Sequence, residues 1–225
     1  MINSDGFFDW AIQWPGAANK VYAAPNAMEG IACHSAEGWL PFLLSDVQDP
    51  SSGHSWTGSI ALDGTFYQHY SVRSSIWASG NRTANTRLIA FESEGTFEHP
   101  LNRAQRETFK RITVDFEAFT GQRMTREEPR TLWQHNEVWD WGTPNAGWTE
   151  CPSNRYDQVF KEIDSRKDSP MTPEEKAAFD ALQAQVTAIN DAVVLRGKVH
   201  QVADDPDIET VKAAGKALAD AGLIA

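Results

Sequence analysis

Two imidazoles and a thiolate are enough to hold a zinc ion while its fourth position stays open to water, and zinc in such a site lowers the pKa of that water to about 7. The 225-residue sequence carries histidines at 34, 54, 69, 99, 135 and 200 and cysteines at 33 and 151. A lone histidine is more often a satisfied polar residue than a ligand, so each needs a partner. His34 ends the short apolar run Gly30-Ile31-Ala32-Cys33-His34, which reads as a strand. Strand ends are where an α/β sheet presents functional groups to its crevice. His135 and Cys151 bracket a Trp- and Gly-rich stretch, with fifteen residues between them. Spacing alone does not select His34 over His54 or His69. Two cysteines make no disulfide framework and read better as one buried residue and one ligand.

The elements that would position these groups follow from local patterns. Ser55 to Ala61 reads as a second strand, and Leu62-Asp63-Gly64-Thr65 contains Asp-Gly, a strong hairpin signal, with Phe66 to Tyr70 returning as its partner. Arg87 to Phe91 reads as a buried strand leading into Glu92-Ser93-Glu94-Gly95. Behind the cap-like Asn102, Phe109, Ile112, Val114, Phe116 and Phe119 fall near helical spacing up to residue 119. Strands alternating with a helix give an α/β class. Residues 1–30 read as an arm with little regular structure, and residues 132–156 as a long loop, a length that usually carries function.

A composition change near Ser169-Pro170-Met171-Thr172-Pro173 predicts a boundary, with residues 1–167 as the main domain and 168–225 as a small helical region. Thr172 caps, Pro173 takes the first helical position, and Glu174 and Glu175 suit the positive end of the dipole. Phe179, Leu182, Val186, Ile189 and Val193 then step 3, 4, 3, 4, so the 172–195 helix offers a possible homo-oligomer seam, a wall-binding tail, or half of a helical hairpin closing on itself. A second helix is expected from Asp207 to about Ala221.

Several local blocks together resemble the amidase type 2 and peptidoglycan recognition protein superfamily. They are Ile31-Ala32-Cys33-His34, Leu62-Asp63-Gly64-Thr65-Phe66-Tyr67-Gln68, Ala90-Phe91-Glu92-Ser93-Glu94-Gly95, Gln134-His135-Asn136-Glu137-Val138 and Thr149-Glu150-Cys151-Pro152, in the family's order across about residues 28 to 160. The resemblance implies a central mixed β-sheet flanked by helices. It implies Zn2+ held by His34, His135 and Cys151, a proton-handling carboxylate at Glu92, and an oxyanion contact at Thr149, where relatives hold Lys or Thr. The implied activity is that of an N-acetylmuramoyl-L-alanine amidase acting on bacterial peptidoglycan. Two departures touch the substrate side: Trp56 stands where many catalytic relatives carry Tyr, and Trp77-Ala78-Ser79-Gly80 stands where relatives often read Trp-His-Ala-Gly. Trp56, Trp77 and Trp148 are the expected substrate contacts, with Trp139 and Trp141 as further candidates. A rival reading is a non-catalytic peptidoglycan-binding module, against which the retained Cys151 speaks. A third is a scaffold built on residues 168–225.

Bulk properties narrow the partners. A net charge of −11 argues against nucleic acid, which needs clustered Lys and Arg, and it supplies no long-range steering toward anionic wall polymers. No window approaches the ~18 apolar residues of a membrane span, which predicts no membrane insertion. The opening MINSDGFFDW has no basic start and no apolar core, so no signal peptide is expected. The chain would then fold in a cytoplasm. Joined to the resemblance, that implies a phage endolysin held in the host cytoplasm until the membrane is permeabilised, then acting on the cell wall.

Overall fold

The computed structural model describes residues 1–138, 141 and 149–168. The expected helices beyond residue 168, with the 172–195 seam, lie outside the described residues, as do Trp139 and Trp148. In chain order the strands and helices are β1 (Ile12–Gln13), β2 (Val21–Pro25), β3 (Gly30–Ser35), α1 (Leu40–Gln48), β4 (Gly58–Ile60), β5 (Phe66–Gln68), β6 (Ser74–Ile76), α2 (Arg82–Arg87), β7 (Leu88–Ser93), α3 (Arg103–Thr120), β8 (Leu132–Gln134), α4 (His135–Val138) and α5 (Asp157–Asp164). A 3-10 turn, Ser165–Asp168, follows.

Six strands form one mixed sheet in the order β1-β5-β4-β7-β3-β8. β4, β7, β3 and β8 run parallel, while β5 returns antiparallel to β4 through the Asp63-Gly64 turn. β2 and β6 pair separately. The parallel centre explains why β3 and β7 read as unbroken apolar runs, because helices cover both faces. Side chains alternate across the sheet. Ile31, Cys33, Ile89 and Phe91 face one core, filled by Phe109, Ile112 and Phe116 of α3 and Val159, Phe160 and Ile163 of α5. Ala32, Leu88 and Ala90 face the other, with Leu43 and Val47 of α1 and Ala84 of α2. By the same alternation His34 and Glu92 fall on the α1 side.

Several local expectations change. The first thirty residues are no loose arm: they hold β1, β2, the core residue Phe8 and the fully buried Lys20. β1 contributes two residues to the sheet edge and β2 ends in Pro25, so neither is long enough to show a period. The strand expected over Ser55–Ala61 is only three residues long in β4. The stretch expected to be a loop from 132 opens with β8 and α4. α3 starts where Asn102 predicts, and its side chain accepts the Gln105 N–H while Gln105 reaches back, a full capping box. Val114 is exposed on α3 and takes no part in the core.

Two contacts fix the strand ends against their neighbours. The Glu94 carboxylate accepts the Leu40 N–H at 2.9 Å and the Leu62 N–H at 2.7 Å, tying α1 and the hairpin to the end of β7. Gly30 is required by close approach: a Cβ there would meet the Thr131 carbonyl oxygen at 2.2 Å, so a larger residue would push β8 away. Among the described residues no helix is long and apolar enough to cross a membrane.

Candidate metal centre

The carboxyl ends of the parallel strands converge on one cavity of about 310 Å³, lined by His34, Ala36, Phe42, Leu43, Asp46, His54, Trp56, Ala78, Glu92, His135, Thr149 and Cys151. This is where an open α/β sheet places its ligands. A larger cavity, of about 690 Å³, lies near the other strand ends around Glu29, Arg87 and Thr131, and it contains no histidine or cysteine.

Three elements bring the donors together. His34 comes from β3, His135 opens α4 directly after β8, and Cys151 follows on the returning chain. One donor atom from each lies within 4.8 Å of the other two. The two imidazole centroids are 4.3 Å apart. His54 and His69, which spacing could not separate from His34, are elsewhere: His54 sits exposed on the rim with Nδ1 3.6 Å from Asp46 Oδ2. His69 is buried in a chain of hydrogen bonds. The Trp14 carbonyl is 2.8 Å from His69 Nδ1, Ser59 Oγ is 2.8 Å from Nε2, and the Trp56 N–H donates to Ser59 Oγ at 2.8 Å. The assignment that satisfies every atom puts the proton on Nδ1 and keeps the ring neutral.

Electrostatics keep the donors ready for a cation. Burial, and then the neighbouring His135, hold His34 well below the usual histidine range. Burial lowers His135 to about 4 against a hydrogen bond to the Ser79 carbonyl. Both rings are therefore neutral, the form that coordinates. Cys151 is buried, and its sulfur accepts the Ser35 N–H at 3.2 Å. Burial first and Glu92 second push its thiol up, so a bound cation is what would make the thiolate. His34 Nε2 and Glu92 Oε2 are buried without a hydrogen-bond partner among the described residues. Buried polar atoms are rarely left so. An orphaned imidazole nitrogen beside a second imidazole and a sulfur is a donor set that fits a divalent transition metal.

Residues 17–154, more than half of the chain, match the N-acetylmuramoyl-L-alanine amidase family. The chain belongs to that family. Solved structures agree in fold. A selenomethionine derivative of AmpD superposes with a TM-score of 0.55 at 15% identity, covering 72% of this chain and 99% of that one. The endolysin N-acetylmuramoyl-L-alanine amidase LysCS from Clostridium intestinale URNW gives 0.51 at 15% identity, covering 71% and 98%. Peptidoglycan recognition protein-LE, solved with tracheal cytotoxin, gives 0.50 at 11%, covering 70% and 94%. No curated protein matches the sequence. At these identities the likeness is one of fold. The amidase fold accounts for the mixed sheet and for the site's place at its carboxyl edge.

Around the amidase's donors, Glu92 is 15% exposed and stands with Oε1 3.7 Å from His34 Nδ1. Burial raises it to about 8, against the opposing charge of Arg155 and with Asp46 and Glu37 adding to the rise. Thr149 lines the cavity and its Oγ1 accepts the Cys151 N–H at 3.2 Å. Trp56 is 4% exposed and presents ring surface, since its N–H is committed to Ser59. Trp77 lies against Tyr22, 6.0 Å between centroids, and is not among the cavity-lining residues, whereas its neighbour Ala78 is. Trp141 packs on Trp133 at 4.7 Å.

Sequence reasoning missed the α1 contributors Phe42, Leu43 and Asp46. Their signal was Pro41 in the first helical turn followed by Leu43 and Val47 at helical spacing. Arg155 left no signal. It is 1% exposed and donates to His99 O, Ser35 Oγ, Ser93 O and Glu94 O, bracing both strand ends that carry the site.

Proposed function

We propose that this chain hydrolyses the amide between the lactyl group of N-acetylmuramic acid and L-alanine of the peptidoglycan stem peptide, with Zn2+ held by His34, His135 and Cys151. The observation that carries the reading is the convergence of these donors within 4.8 Å on one cavity wall with Glu92, in a chain of the amidase family. Zinc bound there supplies Lewis acidity and lowers the pKa of water to about 7.

The chain's own residues do the rest. Glu92 takes a proton from the attacking water and delivers it to the leaving nitrogen. Thr149 receives the Cys151 N–H on its oxygen and keeps its own proton to donate to the developing oxyanion. A hydroxyl offers less charge there than a lysine ammonium would. Trp56 gives the groove a flat wall, whereas Trp77, packed on Tyr22, does not line it. A purely binding role is disfavoured because nothing in recognition alone requires a buried thiol within 4.8 Å of two imidazole nitrogens.

The finer assignment is that of a phage endolysin, held in the host cytoplasm until the membrane opens. Residues 168–225 then form a separate helical region, with the 172–195 seam joining copies of the chain. Mass spectrometry of digested walls tests the chemistry: new L-alanine N-termini are expected, and new reducing sugar ends without them would exclude an amidase. Lysis only after the membrane is permeabilised tests the biological role, and sedimentation with and without residues 168–225 tests the seam.

A further inference from the structure

The corner that presents His135 is braced from outside the cavity. α4 is a single turn, too short to hold itself, since helix nucleation is unfavourable. Glu137 supplies what is missing. Its carboxylate accepts from Arg126 Nη1 at 2.5 Å and Nη2 at 2.6 Å, from Arg130 Nη1 at 3.2 Å, and from the backbone N–H of Gln134 at 2.7 Å. The last bond satisfies a donor at the start of the turn. A bidentate guanidinium fixes direction as well as distance.

The two arginines are themselves held. Arg126 Nη1 donates to Leu132 O at 2.9 Å and its guanidinium lies 5.0 Å from the Phe160 ring centre. Arg130 Nε donates to Arg126 O at 3.2 Å and its guanidinium lies 4.9 Å from the Trp133 ring centre. The same turn reaches the third donor, because the Asn136 N–H donates to Cys151 O at 2.7 Å. Arg126, Arg130 and Glu137 do not line the cavity, so any effect on chemistry passes through His135 and Cys151.

We propose that Glu137, gripped by Arg126 and Arg130, is the positioning residue that sets the His135 imidazole, and through Asn136 the Cys151 backbone, in metal-binding geometry. This rests on the metal reading above. Outer partners that orient ligands typically change metal affinity by about 10- to 100-fold when lost.

The test compares full-length wild type with Glu137→Gln, Arg126→Lys and a control, Glu162→Gln, which loosens the Arg106 and Lys110 ion pairs between α3 and α5. Zinc affinity is read by competition with a chromophoric chelator, and coordination by the visible absorption of the cobalt-substituted proteins. Glu137→Gln is expected to weaken zinc by roughly 10- to 100-fold and to alter the cobalt spectrum, with Arg126→Lys intermediate and Glu162→Gln at wild-type values. A Glu137→Gln protein that melts earlier but matches wild type in affinity and spectrum would overturn the proposal while leaving the metal centre intact. Wild type that binds neither ion overturns both readings. If Glu137→Gln does not fold, Arg126→Lys carries the same comparison.

Discussion

His34 and Glu92 are register partners on adjacent parallel strands, with Nδ1 of one 3.7 Å from Oε1 of the other. The proposed metal donor and the proposed proton carrier are thus spaced by sheet hydrogen bonding rather than by loop conformation. Sites on strands hold their geometry better than sites on loops, and hydrolysis needs the carboxylate and the ion at a constant separation.

Removing the sulfur should remove the metal. Cys151→Ala is expected to lose stoichiometric zinc by elemental analysis and to lower wall hydrolysis by about a thousand-fold or more, an effect that chelation of wild type reproduces and added zinc reverses. Full activity in the metal-free protein would exclude the mechanism.

Glu92→Gln separates proton transfer from metal binding. The amide keeps the shape of the carboxyl but cannot carry the proton, so kcat should fall by roughly 10²- to 10⁴-fold while zinc content stays at the wild-type value. A variant with unchanged kcat would move the proton to another group.

His69 links stability to acidity. Burial lowers it to about 4, from about 6.5 in the unfolded chain. Between those values the unfolded state binds the extra proton, so the contribution is complete above about pH 6.5 and is lost as pH falls toward 4. Its full size is about 3 kcal/mol. Urea unfolding of wild type and His69→Gln across pH 4 to 7 should show a steeper loss in wild type, and parallel curves would contradict the assignment.

Arg155→Met tests the brace beneath the site. The variant removes the four guanidinium hydrogen bonds to the carbonyls of His99, Ser93 and Glu94 and to the Ser35 hydroxyl. A hydrogen bond from a charged group is worth about 1.5–3 kcal/mol even where the acceptor keeps another partner, as Ser93 O keeps the Ala36 N–H and Glu94 O keeps Gln105 Nε2. Unfolding free energy should drop by at least about 3 kcal/mol, which denaturant titration can measure.

How much of this could be read without coordinates depends on the element. β3 and β7 were legible because strands covered on both faces are written as continuous apolar runs, and α3 because Asn102 caps it and Phe109, Ile112 and Phe116 repeat at helical spacing. β1, β2 and β8 were not, since two to five residues cannot display a period. At the site, ligand arithmetic left His34, His54 and His69 equivalent, and only the surrounding family-like blocks favoured His34. The reason for the difference is environmental: His69 spends both nitrogens on Trp14 and Ser59, whereas His34 keeps a buried nitrogen without a partner among the described residues. Arg155 and Glu137 were invisible as bracing residues because their partners lie far off in sequence or are backbone atoms, which carry no side-chain signature.

The Ser35 N–H that points at the Cys151 sulfur has a consequence for folding fidelity. His34 and Ser35 are neighbours, so the last two residues of one strand bear one donor and steer another. A slip of β3 by a single residue would turn His34 to the opposite face and carry the steering amide away with it. On the proposed metal reading, ion retention would therefore gauge whether the central strand has zipped in correct alignment, and misregistered molecules would betray themselves as metal-poor before they unfold.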